Sequence, residues 1–83
     1  MKRMVYRKQA QKVLRRLSPK LSSQIRRKIE DHAAGRPVDI TRLLGRGDYV
    51  RIRCGDWRVI VEESESVVDV VKIAPRGDAY KGS

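Results

Sequence analysis

The stretch from Asp48 to Glu62, DYVRIRCGDWRVIVE, limits what this chain can fold into more than any other. Two runs of alternating apolar and charged residues flank Gly55-Asp56. Glycine at the first central position of a two-residue loop suits a type II′ turn, where φ must be positive. A turn that tight sets Cys54 opposite Trp57, Arg53 opposite Arg58, Ile52 opposite Val59 and Arg51 opposite Ile60. Side chains alternate along a strand, and paired residues share a side of the sheet. One face of the predicted hairpin is then Val50, Ile52, Cys54, Trp57, Val59 and Val61. The other is Arg51, Arg53, Arg58, Ile60 and Glu62. Like charges directly across from each other repel, so a face on which Arg53 meets Arg58 points to an anionic ligand.

The charge of the whole chain points the same way. A formal net charge of +10 over 83 residues favours polyanionic partners: nucleic acid, an anionic membrane or an acidic protein. It is spread unevenly. Residues 1–46 hold 14 Lys and Arg against 3 Asp and Glu, whereas residues 47–83 hold 6 against 7. The hairpin arginines are thus a local cluster within a near-neutral half. A single cysteine excludes an internal disulfide and fits a reducing compartment. No apolar run has the length of a signal-peptide core or a membrane span. The expectation is one domain over residues 1–83, soluble and cytoplasmic, with no membrane partner.

Upstream of the hairpin, Met4-Val5-Tyr6 has the composition of a short first strand. Tyr6, Ala10, Val13, Leu14 and Leu17 then recur at helical spacing. Ser18-Pro19 reads as an N-cap and first residue of a second helix, whose inner stripe is Leu21, Ile25, Ile29 and Ala33. Gly35 and Pro37 end it. With almost no loop between them, the helices should form an αα-hairpin. Their outer faces carry Arg15, Arg16, Arg26, Arg27 and Lys28, read equally well as a solvated face or as a nucleic-acid footprint.

Asp39–Arg46 reads as a connector from which Ile40, Leu43 and Leu44 dip into the core. Glu62–Glu65 reads as solvated carboxylates in a turn. Val67–Ile73 reads as a third strand, with Val68, Val70 and Lys72 on the Trp57 face and Asp69 and Val71 on the arginine face. Asp69 is then expected near Arg58 or Arg51. The predicted class is α+β: two N-terminal helices packed on one face of a small, three- to four-stranded, mainly antiparallel sheet.

Several chemistries find no support in the residues. One His, one Cys and scattered carboxylates give no metal-ligand spacing, and no cofactor motif is present. His32 falls near a helix end and suits a surface or capping role. Cys54 falls on the apolar face, where a buried thiol is a small hydrophobe. What remains is Arg51, Arg53 and Arg58, with Arg76 and Tyr80 just beyond the third strand. Guanidinium forks match phosphate oxygens, and several of them can stabilise a pentacoordinate transition state. A tyrosine among cations has its phenolate favoured, a route to general-base chemistry without histidine. The same residues also describe a phosphate-binding sheet without turnover.

The run Tyr49-x-Arg51-Ile52-Arg53-x-Gly55-Asp56-Trp57-Arg58-Val59-Ile60 resembles the hairpin of the RelE/ParE superfamily, the small basic toxins of bacterial type II toxin–antitoxin modules. Tyr6-Arg7-Lys8-x-Ala10…Leu14-x-x-Leu17 is similar to their first helix, and Arg76-Gly77-Asp78-Ala79-Tyr80 to their C-terminal segment. The resemblance spans nearly the whole chain, and the retained Arg76 and Tyr80 lean to the RelE branch. It implies cleavage of mRNA in the ribosomal A site by attack of a ribose 2′-OH on the adjacent phosphate. In that scheme Arg58 stabilises the transition state and Arg76 assists the leaving 5′-oxygen. Tyr80 orients or deprotonates the 2′-OH, while Arg51 and Arg53 hold the backbone. It also implies an antitoxin partner, expected to be acidic and to wrap the basic surface. Pro75 stands where many relatives have histidine, and arginines stand where some have lysines. The alternatives are a ParE-like inhibitor acting on DNA gyrase through protein contact, and a non-catalytic RNA- or ribosome-binding domain.

Overall fold

The computed structural model describes residues 1–43 and 47–77 of the chain. The elements run β1 (Arg3–Tyr6), α1 (Lys8–Arg16), α2 (Pro19–Ala33), β2 (Ile40–Arg42), β3 (Tyr49–Cys54), β4 (Trp57–Glu63) and β5 (Val67–Pro75). The five strands form one mixed sheet in the order β1-β5-β4-β3-β2. β1 runs parallel to β5 at one edge, and the other pairs are antiparallel. The α+β reading holds, with one strand more than expected: the connector supplies β2, whose Ile40 pairs with Ile52 and Thr41 with Arg51.

The β3–β4 hairpin has the expected register, from Cys54 opposite Trp57 to Tyr49 opposite Glu62. Gly55 carries the turn at φ +57 and Asp56 stays at negative φ, the combination a type II′ turn needs.

Both helices cover the apolar face. Ser18 caps α2 as its sequence implies, its Oγ accepting from the Leu21 N–H at 3.2 Å with Pro19 as the first helical residue. The Ser22 hydroxyl donates to the Leu14 carbonyl at 2.7 Å, tying the start of α2 to α1. At the other end Gly35, at φ +80, lets the chain turn so that the Arg36 N–H reaches the Asp31 carbonyl at 2.8 Å. α1 packs on β5, and α2 on β3 and β1. Ala10, Leu14, Ile25, Ile29 and Ala33 meet Val50, Ile52, Cys54, Val59, Val61, Val68, Val70 and Ile73 in a single core.

β5 departs from its expected register. Val61 pairs with Val70 but Ile60 pairs with Lys72, so Val71 is an extra residue bulged out of the ladder. The consequence reverses the expectation for Lys72. Ile73, not Lys72, enters the core, and Lys72 turns to the uncovered face opposite Ile60. The strand also runs on to Pro75. Beyond the end of β1, the Gln9 side chain takes over as the outer neighbour of β5. Its Nε2 donates to the Ile73 carbonyl at 3.0 Å and its Oε1 accepts from the Ile73 N–H at 2.9 Å.

Of the carboxylates after the hairpin, Glu65 is exposed in a turn as expected, but the other two are not. Glu62 and Glu63 both lie in β4. Glu63 accepts from Lys2 Nζ at 2.6 Å and stands 2.7 Å from His32 Nε2. The side chain of His32 is only 10% exposed, so it clamps the end of α2 to β4 and is no surface residue. Leu44 lies outside the described residues. Leu43 packs on the side of the sheet away from the helices, with Ile60, Ala74 and Tyr49.

Candidate active site

The uncovered face of the sheet is ordered in rows by the strand register. Nearest the hairpin turn are Arg53, Arg58 and Ala74; next come Thr41, Arg51, Ile60 and Lys72; then Tyr49, Glu62 and Asp69. The first two rows are cationic around a small apolar floor of Ile60 and Ala74. The third is anionic.

Arg53 and Arg58 are Cα partners, as the sequence requires. Their environments differ sharply. Arg53 is exposed, whereas Arg58 is 8% exposed and folds back onto the turn. The Arg58 Nη1 donates to the Gly55 carbonyl at 2.8 Å and to the Trp57 carbonyl at 3.0 Å. These two bonds use the hydrogens of one nitrogen, so a bidentate anion contact at Arg58 would have to use Nε and Nη2. Arg51 is partly buried and its Nη2 donates to Thr41 Oγ1 at 3.2 Å. Arg76 is exposed, and its backbone N–H donates to the Asp56 carbonyl at 2.7 Å. That bond fixes the start of the chain after β5 against the hairpin turn, at the same end of the face as Arg53 and Arg58. Tyr80 lies outside the described residues.

Asp69 does not hold Arg51 or Arg58. Its Oδ2 accepts from Arg7 Nε at 3.1 Å and Nη2 at 2.8 Å, and Arg7 Nη2 also reaches Glu62 Oε1 at 3.1 Å. The reason lies in register: Asp69 faces Glu62 across β4–β5, two carboxylates that need a shared cation. Arg7, the first residue after β1, supplies it. The Asp69 hydrogen bond in turn raises the Arg7 pKa further above its ordinary value. Asp69 Oδ1 is buried with no hydrogen-bond partner. The cationic end of the face is thereby set off from a carboxylate end that Arg7 holds.

One other titratable group stands apart. Cys54 is buried in the core, and burial pushes its thiol up. Among the described residues no group of three or more His, Cys, Asp or Glu is arranged to hold a metal ion. Likewise no helix among them is long and apolar enough to cross a membrane. Among the described residues, sequence reasoning missed Lys72 at the cationic end of this face and Arg7 at its carboxylate end. The doubled valine at Val70-Val71, which breaks strict alternation, is the signal that marks the bulge.

The site is thus a set of arginines gathered on the side of a small mixed sheet that its two-helix layer leaves open. Residues 4–80 match the family described as ParE toxin of type II toxin-antitoxin system, parDE. The chain belongs to that family, within the RelE/ParE toxin superfamily. Among solved structures, it is similar to the archaeal RelE–RelB complex from Pyrococcus horikoshii OT3, at 30% identity and TM-score 0.76 over 94% of this chain and 98% of that one. The RelB–RelE antitoxin–toxin complex from Methanococcus jannaschii shares the fold at 21% identity and TM-score 0.75, over 92% and 94% of the two chains. So does a mutant E. coli RelE toxin in the free state, at 21% identity and TM-score 0.73, over 96% and 87%. No match was found among curated proteins.

Proposed function

We propose that this toxin is a ribosome-dependent, metal-independent endoribonuclease that cuts mRNA by attack of a ribose 2′-OH on the adjacent phosphate. The observation that carries the reading is the opposition of Arg53 and Arg58 on the uncovered face, with Arg76 anchored at the same end through Asp56. The likeness to a RelE toxin at 30% identity supports it. As the 2′-oxygen closes on phosphorus, negative charge grows on the non-bridging oxygens. Fixed guanidinium groups that need no reorganisation stabilise that charge best. Arg58 suits this role because two backbone carbonyls hold it in place. Arg51 and Arg53 grip the flanking phosphates, Arg76 neutralises the departing 5′-oxygen, and Tyr80 orients or deprotonates the nucleophile. The need for a 2′-OH restricts cleavage to RNA.

Primer extension on mRNA translated in vitro tests the reading. Wild-type protein should give discrete cuts, and Arg58→Ala should lower their rate by about 100-fold, the usual loss for one oxyanion donor. Arg53→Ala, at an exposed position, separates lost phosphate binding from a loosened turn. Absence of cuts with the wild type, or an unchanged pattern with both variants, would falsify the nuclease reading.

A second reading is favoured by one observation: the matching family is that of ParE toxins. On that reading the toxin inhibits DNA gyrase by protein contact. A supercoiling assay with trapped gyrase–DNA cleavage complexes and intact mRNA identifies it. Either reading includes an antitoxin, for the P. horikoshii and M. jannaschii relatives are seen in complex with RelB. An acidic antitoxin segment laid over the cationic rows would silence the site by occupying it.

A further inference from the structure

The cluster just described lacks a proton donor for the leaving 5′-oxygen among its arginines. A guanidinium stabilises an alkoxide but effectively never surrenders its proton. Histidine does not fill the gap among the described residues, since His32 is engaged with Glu63. Lysine can. The bulge at Val71 brings Lys72 to the uncovered face, opposite Ile60 and in the same row as Arg51. Arg58 pairs with Ala74, so Lys72 is its diagonal neighbour across β4–β5, a position about 7–8 Å away between Cα atoms and within reach of long side chains. The charged groups around it on this face are Arg58 and Glu62 of β4, Arg51 of β3 and Asp69 of β5.

We propose that Lys72 is a catalytic residue of this site, the general acid that protonates the leaving 5′-oxygen. This deepens the nuclease reading and rests on it. The 2′-oxygen forms its bond to phosphorus and its proton passes to water. The phosphorus–O5′ bond breaks, and the 5′-oxygen leaves with a proton from the Lys72 ammonium. The resulting amine is recharged from hydronium, so the products are a 2′,3′-cyclic phosphate and a 5′-hydroxyl with no net change in the enzyme. Arg76, on the far side of Arg58, then acts on the leaving group by charge alone.

Two variants and one altered substrate test this on programmed ribosomes. Lys72→Ala should slow cleavage by about 100-fold, the ordinary share of a general acid. Lys72→Arg keeps the positive charge but not the transferable proton, and should be nearly as slow while binding ribosomes as the wild type does. A substrate with sulfur in place of the scissile 5′-oxygen leaves as a thiolate that needs no proton, so it should restore both variants to within a few-fold of the wild type. Wild-type rates with Lys72→Arg overturn the donor role, as does failure of the sulfur substrate to rescue Lys72→Ala. No cleavage by the wild type instead defeats the nuclease reading itself, and the donor role with it. A thermal melt of Lys72→Arg that matches the wild type excludes misfolding as the cause of lost rate.

Discussion

Gln9 and Ile73 are joined by two hydrogen bonds, with the side-chain amide of one serving the backbone N–H and carbonyl of the other. α1 thereby replaces the strand that β1 is too short to provide. Each such bond contributes about 1 kcal/mol when partly buried. Gln9→Ala should therefore cost about 1–2 kcal/mol in urea denaturation. Amide exchange at Ile73 should speed up selectively, while the Val68 to Val70 region beside β1 keeps its protection.

The hairpin turn offers a second test. Gly55 sits at φ +57 with open space where a Cβ would project, so substitution is penalised by backbone conformation and not by a clash. Gly55→Ala should destabilise the fold by about 1–2 kcal/mol. It should also displace the Gly55 carbonyl that Arg58 binds, and so lower activity beyond what the melt accounts for.

Ser18→Ala removes the one side-chain cap of α2. A loss of about 1 kcal/mol in the denaturation midpoint is expected, with mRNA cleavage by the remaining folded protein unchanged, because α2 lies on the face away from the arginines.

The Lys2–Glu63–His32 clamp makes stability depend on acid. Burial alone would push the Glu63 carboxyl up, but hydrogen bonds and charge from Lys2 and His32 outweigh it and hold the group below its ordinary value of 4.5. A carboxyl depressed in the folded state contributes stability above its unfolded pKa, and that contribution disappears as pH falls through the folded one. Denaturation midpoints should thus decline below about pH 4.5 more steeply in the wild type than in Glu63→Gln.

The central hairpin was legible to the residue because alternation and a glycine turn leave a single register that buries Val50, Ile52, Val59 and Val61. Both helices were legible for the same reason: an apolar stripe with Ser18-Pro19 and Gly35 as punctuation. β2 was hidden because three residues of an edge strand carry too little pattern to separate from a connector. Lys72 was misplaced by one extra residue, since a period of two has no memory across a bulge, whereas Asp69, ahead of the bulge, kept its expected face. The partners of Glu63 and Asp69, at the far end of the chain, are set by tertiary contact with Lys2, His32 and Arg7, which no local spacing encodes. Of the site, Arg53 and Arg58 were readable as a pair. The grip of the turn carbonyls on Arg58 was not, because a guanidinium that bends back on its own loop leaves no periodic trace.

The surplus valine at position 71 behaves as a frameshift written into a strand. Force it back into strict alternation and every side chain downstream exchanges sides, sending an ammonium toward the interior and an isoleucine toward the uncovered face. Loss of this one codon should therefore leave Lys72 opposite Ile60 and Ile73 opposite Val59, and toxicity should survive it, whereas a substitution that keeps the length but abolishes the bulge should not be tolerated.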